Sequence, residues 1–257
     1  MSYKNHFKIT IPLYNVENWI VSCLKSVMLQ DYDNYECIVV DDNSSDDTYK
    51  KIKALVSDNS KFKIVRNKEN VGPLANAYRA VLEHSTNLND EDIIVLLDGD
   101  DFFSSKNTLS ILNNFYNQNK CWMTYGSYIN LSDKKKGKFS RPVPSQVIEN
   151  NSYRESEWCT SHLRSYKAFL IKELDEKDLK DDTGSFFRAA GDLAMMFPLL
   201  EMCGPQAKFV EEILYIWNDM NVLNEHRSKR KEQLMCEQNI RKKRKYKLLV
   251  RHNMEES

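Results

Sequence analysis

Hydrophobic residues follow two alternating periodicities along the first part of the chain. Short apolar runs predict β-strands at FKITIPLY, ECIVVDD, FKIVRN and DIIVLLD. Between them, apolar residues recur at helical spacing in VENWIVSCLKSVML, SDDTYKKIKALVSD and PLANAYRAVLEHS. A continuous run such as IIVLL is typical of a strand covered on both faces. The alternation therefore predicts an α/β fold with a mostly parallel, Rossmann-like sheet and helices on both faces.

The predicted helices of this part carry start signals. Asn15 is the predicted N-cap of the first helix, and Ser44 or Ser45 that of the second. Pro73 stands in the first turn of the third helix, where its missing N–H has no intrahelical partner to lose.

After Asp101 the pattern changes. It predicts helices at NTLSILNNFYNQ, HLRSYKAFLIKEL and FFRAAGDLAMMFPLLEMCG, the last bent at Pro198, and strands at CWMTYGSYIN and AKFVEEILYIWN. The polar stretch 132–157 predicts a surface loop. We expect one domain over residues 1–226, with halves at 1–130 and 131–226, and then a basic helical tail over 227–257.

Composition narrows the class of protein. The formal net charge of the 257 residues is zero, so the whole molecule has no bias toward nucleic acid. None of the six cysteines forms a CxxC pair or has a histidine at metal-ligand spacing, and we expect neither a zinc site nor a disulfide framework. No apolar stretch reaches the length that spans a bilayer, which predicts a cytoplasmic protein.

Lysine and arginine concentrate near the C-terminus, in EHRSKRK and RKKRKYKLLV. Three interpretations of this tail stay open: a solvated helix, peripheral docking to an anionic membrane or an acidic partner, and a helix that forms a homo-oligomer. Nucleic-acid binding is not expected, because aromatic residues are not interleaved with the basic ones.

Acidic residues gather where two predicted strands end. Asp41 and Asp42 end the second strand, and Asp98, Asp100 and Asp101 follow the fourth. In an open α/β sheet, ligands bind outside the carboxyl ends of the strands, and closely packed carboxylates favour a bound cation. Carboxylate oxygens suit Mg²⁺ or Mn²⁺, and a site with few protein ligands leaves room for substrate phosphates. The alternative is that DGDD is only a polar turn.

The residues on these strands resemble a known family. ITIPLYNVENWIVSCLKSVMLQDYDNYECIVVDDNSSDDT, NKENVGPLANAYRAVL and IIVLLDGDD, in this order and spacing, are similar to the nucleotide-binding half of family 2 glycosyltransferases, which have the GT-A fold. The resemblance covers roughly the first 130 residues. It implies that the chain binds a nucleotide-diphosphate sugar, UDP-sugar being the commonest choice, together with Mn²⁺ or Mg²⁺.

The resemblance assigns roles to single positions. It implies that Asp98 and Asp100 correspond to the DxD motif that contacts the ribose and the metal ion, with Asp101 as a further metal candidate and Gly99 allowing the backbone to approach the donor. The remaining implied donor-binding residues are Pro12, Tyr14, Glu17, Asp41, Asp42, Asn70, Gly72 and Asn76.

The general base of the family is an acid at the start of a helix in the second half, which implies Asp192 in AAGDLAMMFPLLE. Gly191 stands where the family usually has a Glu. The alternative for Asp192 is a helix-terminal acid that interacts with the helix dipole. We expect a structural role for Glu201, which lies deeper in the same apolar helix.

Four further residues are candidates with weaker signals. His162 and Trp158 are predicted on the acceptor side, and His226 follows the last strand, where GT-A enzymes often place a metal- or phosphate-contacting histidine. The alternative for each histidine is an ordinary surface or capping residue. Tyr215 is expected in the core.

Together these patterns predict an inverting, metal-dependent glycosyltransferase that acts on a glycan, lipid-linked or protein acceptor. Its alternative is a non-catalytic sugar-nucleotide-binding or scaffold protein on the same fold, which the glycine at position 191 keeps open. A nucleotidyltransferase is disfavoured, because PLYNVENW lacks the glycine-rich basic loop that such enzymes carry after the first strand.

Overall fold

The computed structural model describes residues 3–221 and 230–251. Strands and helices alternate in the first half, as predicted, and the predicted α/β fold is confirmed. The elements of this half are β1 (Phe7–Leu13), α1 (Ile20–Met28), β2 (Tyr35–Asp41), α2 (Thr48–Val56), β3 (Phe62–Arg66), α3 (Pro73–Leu82) and β4 (Ile93–Leu96).

The rest of the chain is less regular. Its elements are β5 (Phe102–Phe103), α4 (Thr108–Asn119), β6 (Met123–Asn130), α5 (Ser145–Glu149), β7 (Arg164–Lys167), α6 (Ala168–Lys172), α7 (Gly191–Cys203), β8 (Ala207–Trp217) and α8 (Arg230–Lys242). Short 3-10 turns lie at Tyr153–Glu155, Glu176–Leu179 and Gly204–Gln206. The predicted loop 132–157 contains the short helix α5.

In the described part of the chain, eight strands form one sheet in the order β3-β2-β1-β4-β7-β6-β8-β5. The strands from β3 to β4 are mutually parallel, and β7 runs antiparallel to both of its neighbours. β6 and β8 are parallel, and the short β5 is antiparallel to β8. Because β1, β2 and β4 are parallel and adjacent, their carboxyl ends lie at one edge of the sheet.

Two helix predictions in the second half are wrong in their first residues. HLRSYKAFLIKEL begins with strand β7, because Ser165 and Tyr166 are fully buried and the strand pairs with β4 and β6. This tertiary pairing overrides the local helical spacing. The helix predicted from Phe186 begins only at Gly191, since Phe186 bridges to Lys180 and Ala190 has a left-handed φ of 55°.

The predicted N-caps of α1 and α2 are also wrong. Asn15 has a φ of 51° and lies ahead of α1, and its Oδ1 accepts a hydrogen bond from the Ser45 N–H at 2.9 Å. The Ser44 hydroxyl accepts from the Asn15 N–H at 2.9 Å. These side chains therefore join the loops that follow β1 and β2. Pro73 is the first residue of α3, as predicted.

Buried apolar residues form a large cluster on each face of the sheet. α1, α2 and α4 cover one cluster, and α3, α6 and α7 cover the other. Glu201 in α7 is 1% exposed and ion-paired with Arg154, which is the structural role expected for it.

The C-terminal tail is helical at α8 and lies against the second half of the domain. Ile240 is 1% exposed, the Tyr246 N–H donates to Glu201 at 2.9 Å, and the Leu249 N–H donates to the Met202 carbonyl at 3.0 Å. The Arg244 guanidinium pairs with Asp178 at 2.8 Å. Several of the tail's bases are thus engaged by the domain, and docking of the tail to a membrane or to a second copy stays a prediction. The expected boundary at residue 226 lies outside the described residues.

None of the helices within residues 3–221 and 230–251 combines the length and the apolar character needed to cross a bilayer.

Candidate active site

The carboxyl ends of three parallel strands define the site. Leu13 at the end of β1 lies in register with Asp41 of β2, and Thr10 of β1 is paired with Leu96 of β4. Tyr14 therefore follows β1, and the DGDD turn follows β4, at the same edge. Tyr14 is 45% exposed, whereas Pro12 is buried within β1.

The three acids of the DGDD turn have different surroundings. Asp101 is 2% exposed, and both of its oxygens are occupied: Oδ1 accepts from the Asn218 N–H and Oδ2 from the Tyr215 hydroxyl, each at 2.6 Å. Asp101 therefore anchors the turn to β8 and the residues after it. Asp98 reaches solvent, and Asp100 is half-buried, with its Oδ2 accepting from Asn221 at 2.7 Å.

The electrostatics of this turn favour a bound cation. Desolvation by the surrounding protein, followed by the charge of Asp100, raises the pKa of Asp98 to about 6. Desolvation also raises the pKa of Asp100 and, with the two neighbouring acids, that of Asp101. Negative charge at the turn is thus incompletely compensated by the protein, and a divalent ion would relieve it.

The ligand set at the turn is open. Asp98 and Asp100 can offer carboxylate oxygens to a hard cation. Within residues 3–221 and 230–251, no three His, Cys, Asp or Glu side chains are placed to hold a metal ion. These two carboxylates therefore fit an ion that takes further ligands from a bound phosphate. His226 lies outside the described residues.

Gly99 is required by close packing. A Cβ at this position would lie 2.4 Å from the Leu13 Cβ, which is far inside van der Waals contact. The glycine therefore lets the acidic turn pass directly over the end of β1.

The two acids at the end of β2 are both engaged by the protein. Asp41 is fully buried, and its Oδ2 lies 3.1 Å from the Arg66 Nε. Asp42 accepts from the N–H groups of Val71 and Gly72 at 2.9 and 2.8 Å, and from the Asn67 side chain at 2.7 Å. Asp42 thus fixes the backbone around Gly72, whose φ of 93° favours glycine.

Asn70 and Asn76 lie in or next to this segment, whereas Glu17 lies just ahead of α1. Asn70 donates to the Asp42 carbonyl at 3.3 Å, and the Oδ1 of the 2%-exposed Asn76 accepts from Asn67 at 2.7 Å. The buried Asn76 Nδ2 has no hydrogen-bond partner among the described residues. Glu17 accepts from the Asp47 N–H at 3.1 Å, which ties the start of α1 to that of α2.

Asp192 lies in the first turn of α7, and its side chain is 33% exposed. Its Oδ2 is 3.2 Å from the Nη2 of Arg164, which is 6% exposed. Arg164 pairs with Leu96 across β4 and β7, which places it beside the acidic turn. The charge of Asp192 raises the pKa of Asp98 and that of Arg164 lowers it, so all three groups share one electrostatic environment.

The glycine at position 191, where the family usually has a glutamate, is explained by close packing. A Cβ on Gly191 would lie 3.0 Å from the Leu74 Cβ, closer than such atoms normally approach. The glycine allows α7 to begin directly against α3.

Sequence reasoning missed Arg164, Arg188 and the polar role of Tyr215. Arg164 lay in a segment assigned to a helix, and only the strand assignment shows that it meets β4. Arg188 donates to the side chain and carbonyl of Asn70 at 2.7 and 2.9 Å. Tyr215 is fully buried, as expected, but its hydroxyl binds the acidic turn.

The two acceptor-side candidates lie near these residues. The His162 ring stacks on Tyr215 with 4.4 Å between ring centroids and 14° between ring planes. Trp158 packs edge-on against Phe197, and the Arg164 guanidinium carbon lies 5.8 Å from the centroid of its ring. The structure thus brings His162 and Trp158 to the surroundings of Asp98 and Asp192.

The sheet topology and the acidic turn after β4 define a GT-A fold. The fold is similar to that of Staphylococcus aureus TarS residues 1–349 in complex with UDP-GlcNAc, with a TM-score of 0.62 and 18% identity over 84% of this chain and 59% of that one. It is also similar to the mannosyltransferase PcManGT from Pyrobaculum calidifontis in complex with GDP-Man and Mn²⁺, with a TM-score of 0.60 and 17% identity over 88% and 60% of the two chains.

The chain belongs to Glycosyl transferase family 2, whose sequence profile matches residues 8–175. The resemblance seen in the sequence is thereby confirmed. One relative is the UDP-Glc:alpha-D-GlcNAc-diphosphoundecaprenol beta-1,3-glucosyltransferase WfgD of Escherichia coli, 32% identical over 135 residues, which are 52% of this chain and 50% of the relative. The chain spans half the length or less of the curated relatives that it matches.

Proposed function

We propose that this chain is an inverting, metal-dependent glycosyltransferase that moves a sugar from a nucleotide-diphosphate donor to an acceptor hydroxyl. The observation that carries the proposal is the grouping of Asp98, Arg164 and Asp192. Asp98, a candidate metal ligand, and Asp192, the candidate general base, lie in one electrostatic environment. The buried Arg164 is ion-paired with Asp192.

Asp98 and Asp100 would hold Mn²⁺ or Mg²⁺, which supplies stabilisation of the negative charge that develops on the leaving diphosphate. Donor geometry is supported by Asp101, which fixes the acidic turn on β8, and by Asp42, which fixes the backbone at Gly72. Family membership and the Mn²⁺ named with the mannosyltransferase support a divalent ion here.

Asp192 is the proposed general base. Its Oδ1 accepts from the Leu193 N–H at 2.9 Å and its Oδ2 pairs with Arg164, so the orientation of the carboxylate is fixed from two sides. Because the side chain is partly exposed, an acceptor hydroxyl can reach it. The hydroxyl proton passes to Asp192 as the new oxygen–carbon bond forms at the anomeric carbon and the bond to the diphosphate breaks.

UDP-sugar is the proposed donor, and a lipid-linked acceptor is one candidate beside glycan and protein acceptors. The support comes from the proteins compared above: UDP-GlcNAc with TarS, and a UDP-Glc donor with a diphosphoundecaprenol acceptor for WfgD. A cytoplasmic location stays a prediction from the sequence.

The test combines donor binding with turnover. A screen of nucleotide sugars for Mn²⁺-dependent thermal stabilisation should identify the donor, since ligand binding raises the melting temperature by mass action. Asp100→Ala should lose the metal-dependent part of this stabilisation. Asp192→Asn should keep it and reduce transfer by about 10²- to 10⁴-fold. Asp58→Asn, an exposed acid beyond α2, is the matched control and should change neither.

Two outcomes would contradict the proposal. Full turnover in Asp192→Asn would remove this residue from the mechanism. Donor binding without release of nucleoside diphosphate, under conditions where an acceptor is present, would favour a non-catalytic binding protein instead.

A further inference from the structure

A polar pocket lies at Asn70, next to the Gly72 backbone that Asp42 fixes. It has a volume of about 300 Å³ and is formed between the segment Glu69–Val71 and the loop ahead of α7. Three cations line it, Arg79, Lys180 and Arg188, against one carboxylate, that of Glu69. We propose that this cationic pocket binds a phosphate or diphosphate group of the acceptor. The inference rests on the proposed function, because it takes the chain to have an acceptor substrate.

Two of the cations are held over one aromatic ring. The Arg79 guanidinium carbon lies 5.5 Å from the centroid of Phe186, and the Lys180 ammonium lies 5.1 Å from it. Phe186 is 8% exposed and packs on Tyr78 with 6.1 Å between ring centroids. The ring therefore fixes both cations on the pocket wall by cation–π contact. Two like charges at one ring repel each other, and nearby anions reduce that repulsion.

Carboxylates compensate these charges only in part. Arg79 lies 3.8 Å from Glu83, and Lys180 is paired with Glu176 in the preceding turn. Arg188 donates to the Oδ1 and carbonyl oxygen of Asn70, both neutral acceptors. A guanidinium has more N–H donors than these two bonds use, and Arg188 is exposed. Glu83 and Glu176 thus pair with two of the three cations from outside the lining, and Arg188, which bonds only neutral acceptors among the contacts described, keeps donors available to a ligand.

A phosphate group fits this arrangement better than a carboxylate. A terminal phosphate carries close to two negative charges near neutral pH and presents three terminal oxygens, and a diphosphate substituted at both ends carries two charges over four terminal oxygens. Either group can accept from several cations at once. The pocket volume is at the lower end of the range for small-ligand sites, which suits a charged head group.

The position of the pocket indicates the acceptor rather than the donor. The proposed donor diphosphate is assigned to Asp98 and Asp100, which do not line the pocket, whereas the implied donor-binding residue Asn70 does. Arg188 connects the pocket to Asn70 and to Gly72, whose Cβ position is 3.2 Å from the Arg188 side chain. The same loop continues directly into α7, where Asp192 lies. An acceptor held by its phosphate in the pocket would therefore be bound next to the proposed base.

The probe is inorganic pyrophosphate in the presence of EDTA, and isothermal titration calorimetry measures its binding. The wild-type protein should bind it, with an affinity that falls as salt is added. The double variant Arg79→Gln/Lys180→Gln should bind it at least about tenfold more weakly, since hydrogen bonds to charged groups are lost. Glu176→Gln should bind it several-fold more tightly, because Lys180 is released from its partner. Asp100→Ala should bind it as the wild type does.

A second titration distinguishes the two sources of a diphosphate. Binding of UDP with Mn²⁺ should be equal in the wild type and in the Arg79/Lys180 double variant. A matching loss of UDP affinity would assign the pocket to the donor and overturn the inference. Equal pyrophosphate affinity in the wild type and in a double variant with an unchanged melting temperature would overturn it as well. Pyrophosphate binding requires neither metal nor turnover, so it tests the pocket alone. Failure of the proposed function would be seen separately, if the wild type showed no Mn²⁺-dependent binding of UDP.

Discussion

Replacing Arg154 with methionine tests whether the C-terminal tail is part of the folded domain. The Arg154 guanidinium is 4% exposed and donates to both oxygens of the buried Glu201, at 2.6 and 3.0 Å. It also donates to the carbonyl of Ile240 in α8 at 2.6 Å, and Glu201 accepts from the Tyr246 N–H. One buried ion pair thus joins α7 to both parts of the tail.

The magnitude follows from what the substitution leaves behind. Arg154→Met strands the Glu201 carboxylate in an apolar core with one remaining N–H donor, and breaking a buried pair in this way costs about 3–5 kcal/mol. Removing both charges, in Arg154→Met/Glu201→Leu, avoids the stranded charge. It still leaves the Ile240 carbonyl and the Tyr246 N–H without these partners, which costs roughly 2 kcal/mol. The double variant should therefore be more stable than the single one.

Urea unfolding followed by tryptophan fluorescence measures the free energies, and hydrogen exchange of the α8 amides reports on the tail. The single variant should lower the melting temperature by roughly 10 °C, given about 2–4 °C per kcal/mol for a chain of this size. Protection of α8 should fall with it. A loss of less than about 1 kcal/mol, or a double variant no more stable than Arg154→Met, would refute the reasoning that the pair is buried and connects the tail to the core.

Three further predictions concern the site. Arg164→Met should lower turnover, because Asp192 loses the group that orients it, whereas Arg164→Lys should restore part of kcat with little change in donor KM. Steady-state kinetics of both variants measure this, and an unchanged kcat in Arg164→Met would contradict the prediction. In metal-free protein, the free energy of unfolding should fall as the pH rises through about 6, because the pKa of Asp98 is raised from 3.8 to about 6 and the native state binds this proton more tightly than the unfolded state does. Asp98→Asn should reduce this fall, and identical pH profiles of the two proteins in urea unfolding would count against the prediction. Gly99→Ala should cost about 1–3 kcal/mol by overpacking against Leu13 and weaken Mn²⁺-dependent donor binding. Gly184 has a φ of 82° and no atom of the described residues within 4 Å of its Cβ position, so Gly184→Ala should cost about 1 kcal/mol through backbone strain and leave donor binding unchanged. Thermal melts with and without donor compare the two variants.

Local sequence was sufficient for the first half of the fold. Apolar runs that end in acids predicted both the strands and the common edge at which Asp41 and Asp98 follow them, because parallel strands align their carboxyl ends. The roles of individual acids were not predictable in the same way. Asp101 is adjacent to Asp100 in sequence, but its partners Tyr215 and Asn218 lie far along the chain, and only the paired strands β5 and β8 bring them together.

The second half was harder to predict because its elements are short and defined by tertiary contacts. β7 has four residues, and its polar and aromatic side chains are also compatible with a helix. Its antiparallel insertion between β4 and β6 brings Arg164 to the acidic turn. A periodicity argument contains no information on such an insertion, and the cation nearest the proposed base was therefore missed.

Three interactions at the candidate site join a residue of the second half of the chain to a residue of the first half. The hydroxyl of Tyr215 binds Asp101, the guanidinium of Arg164 lies in the electrostatic environment of Asp98, and Arg188 binds Asn70. In each case a group from the second half fixes or compensates a residue in one of the proposed donor-binding motifs of the first half. The proposed donor site therefore depends on residues beyond 1–130, although all of its recognisable motifs lie there. Removing the Tyr215 hydroxyl or the Arg164 charge should therefore change metal-dependent donor binding, because the first alters the position of the DGDD turn and the second its charge.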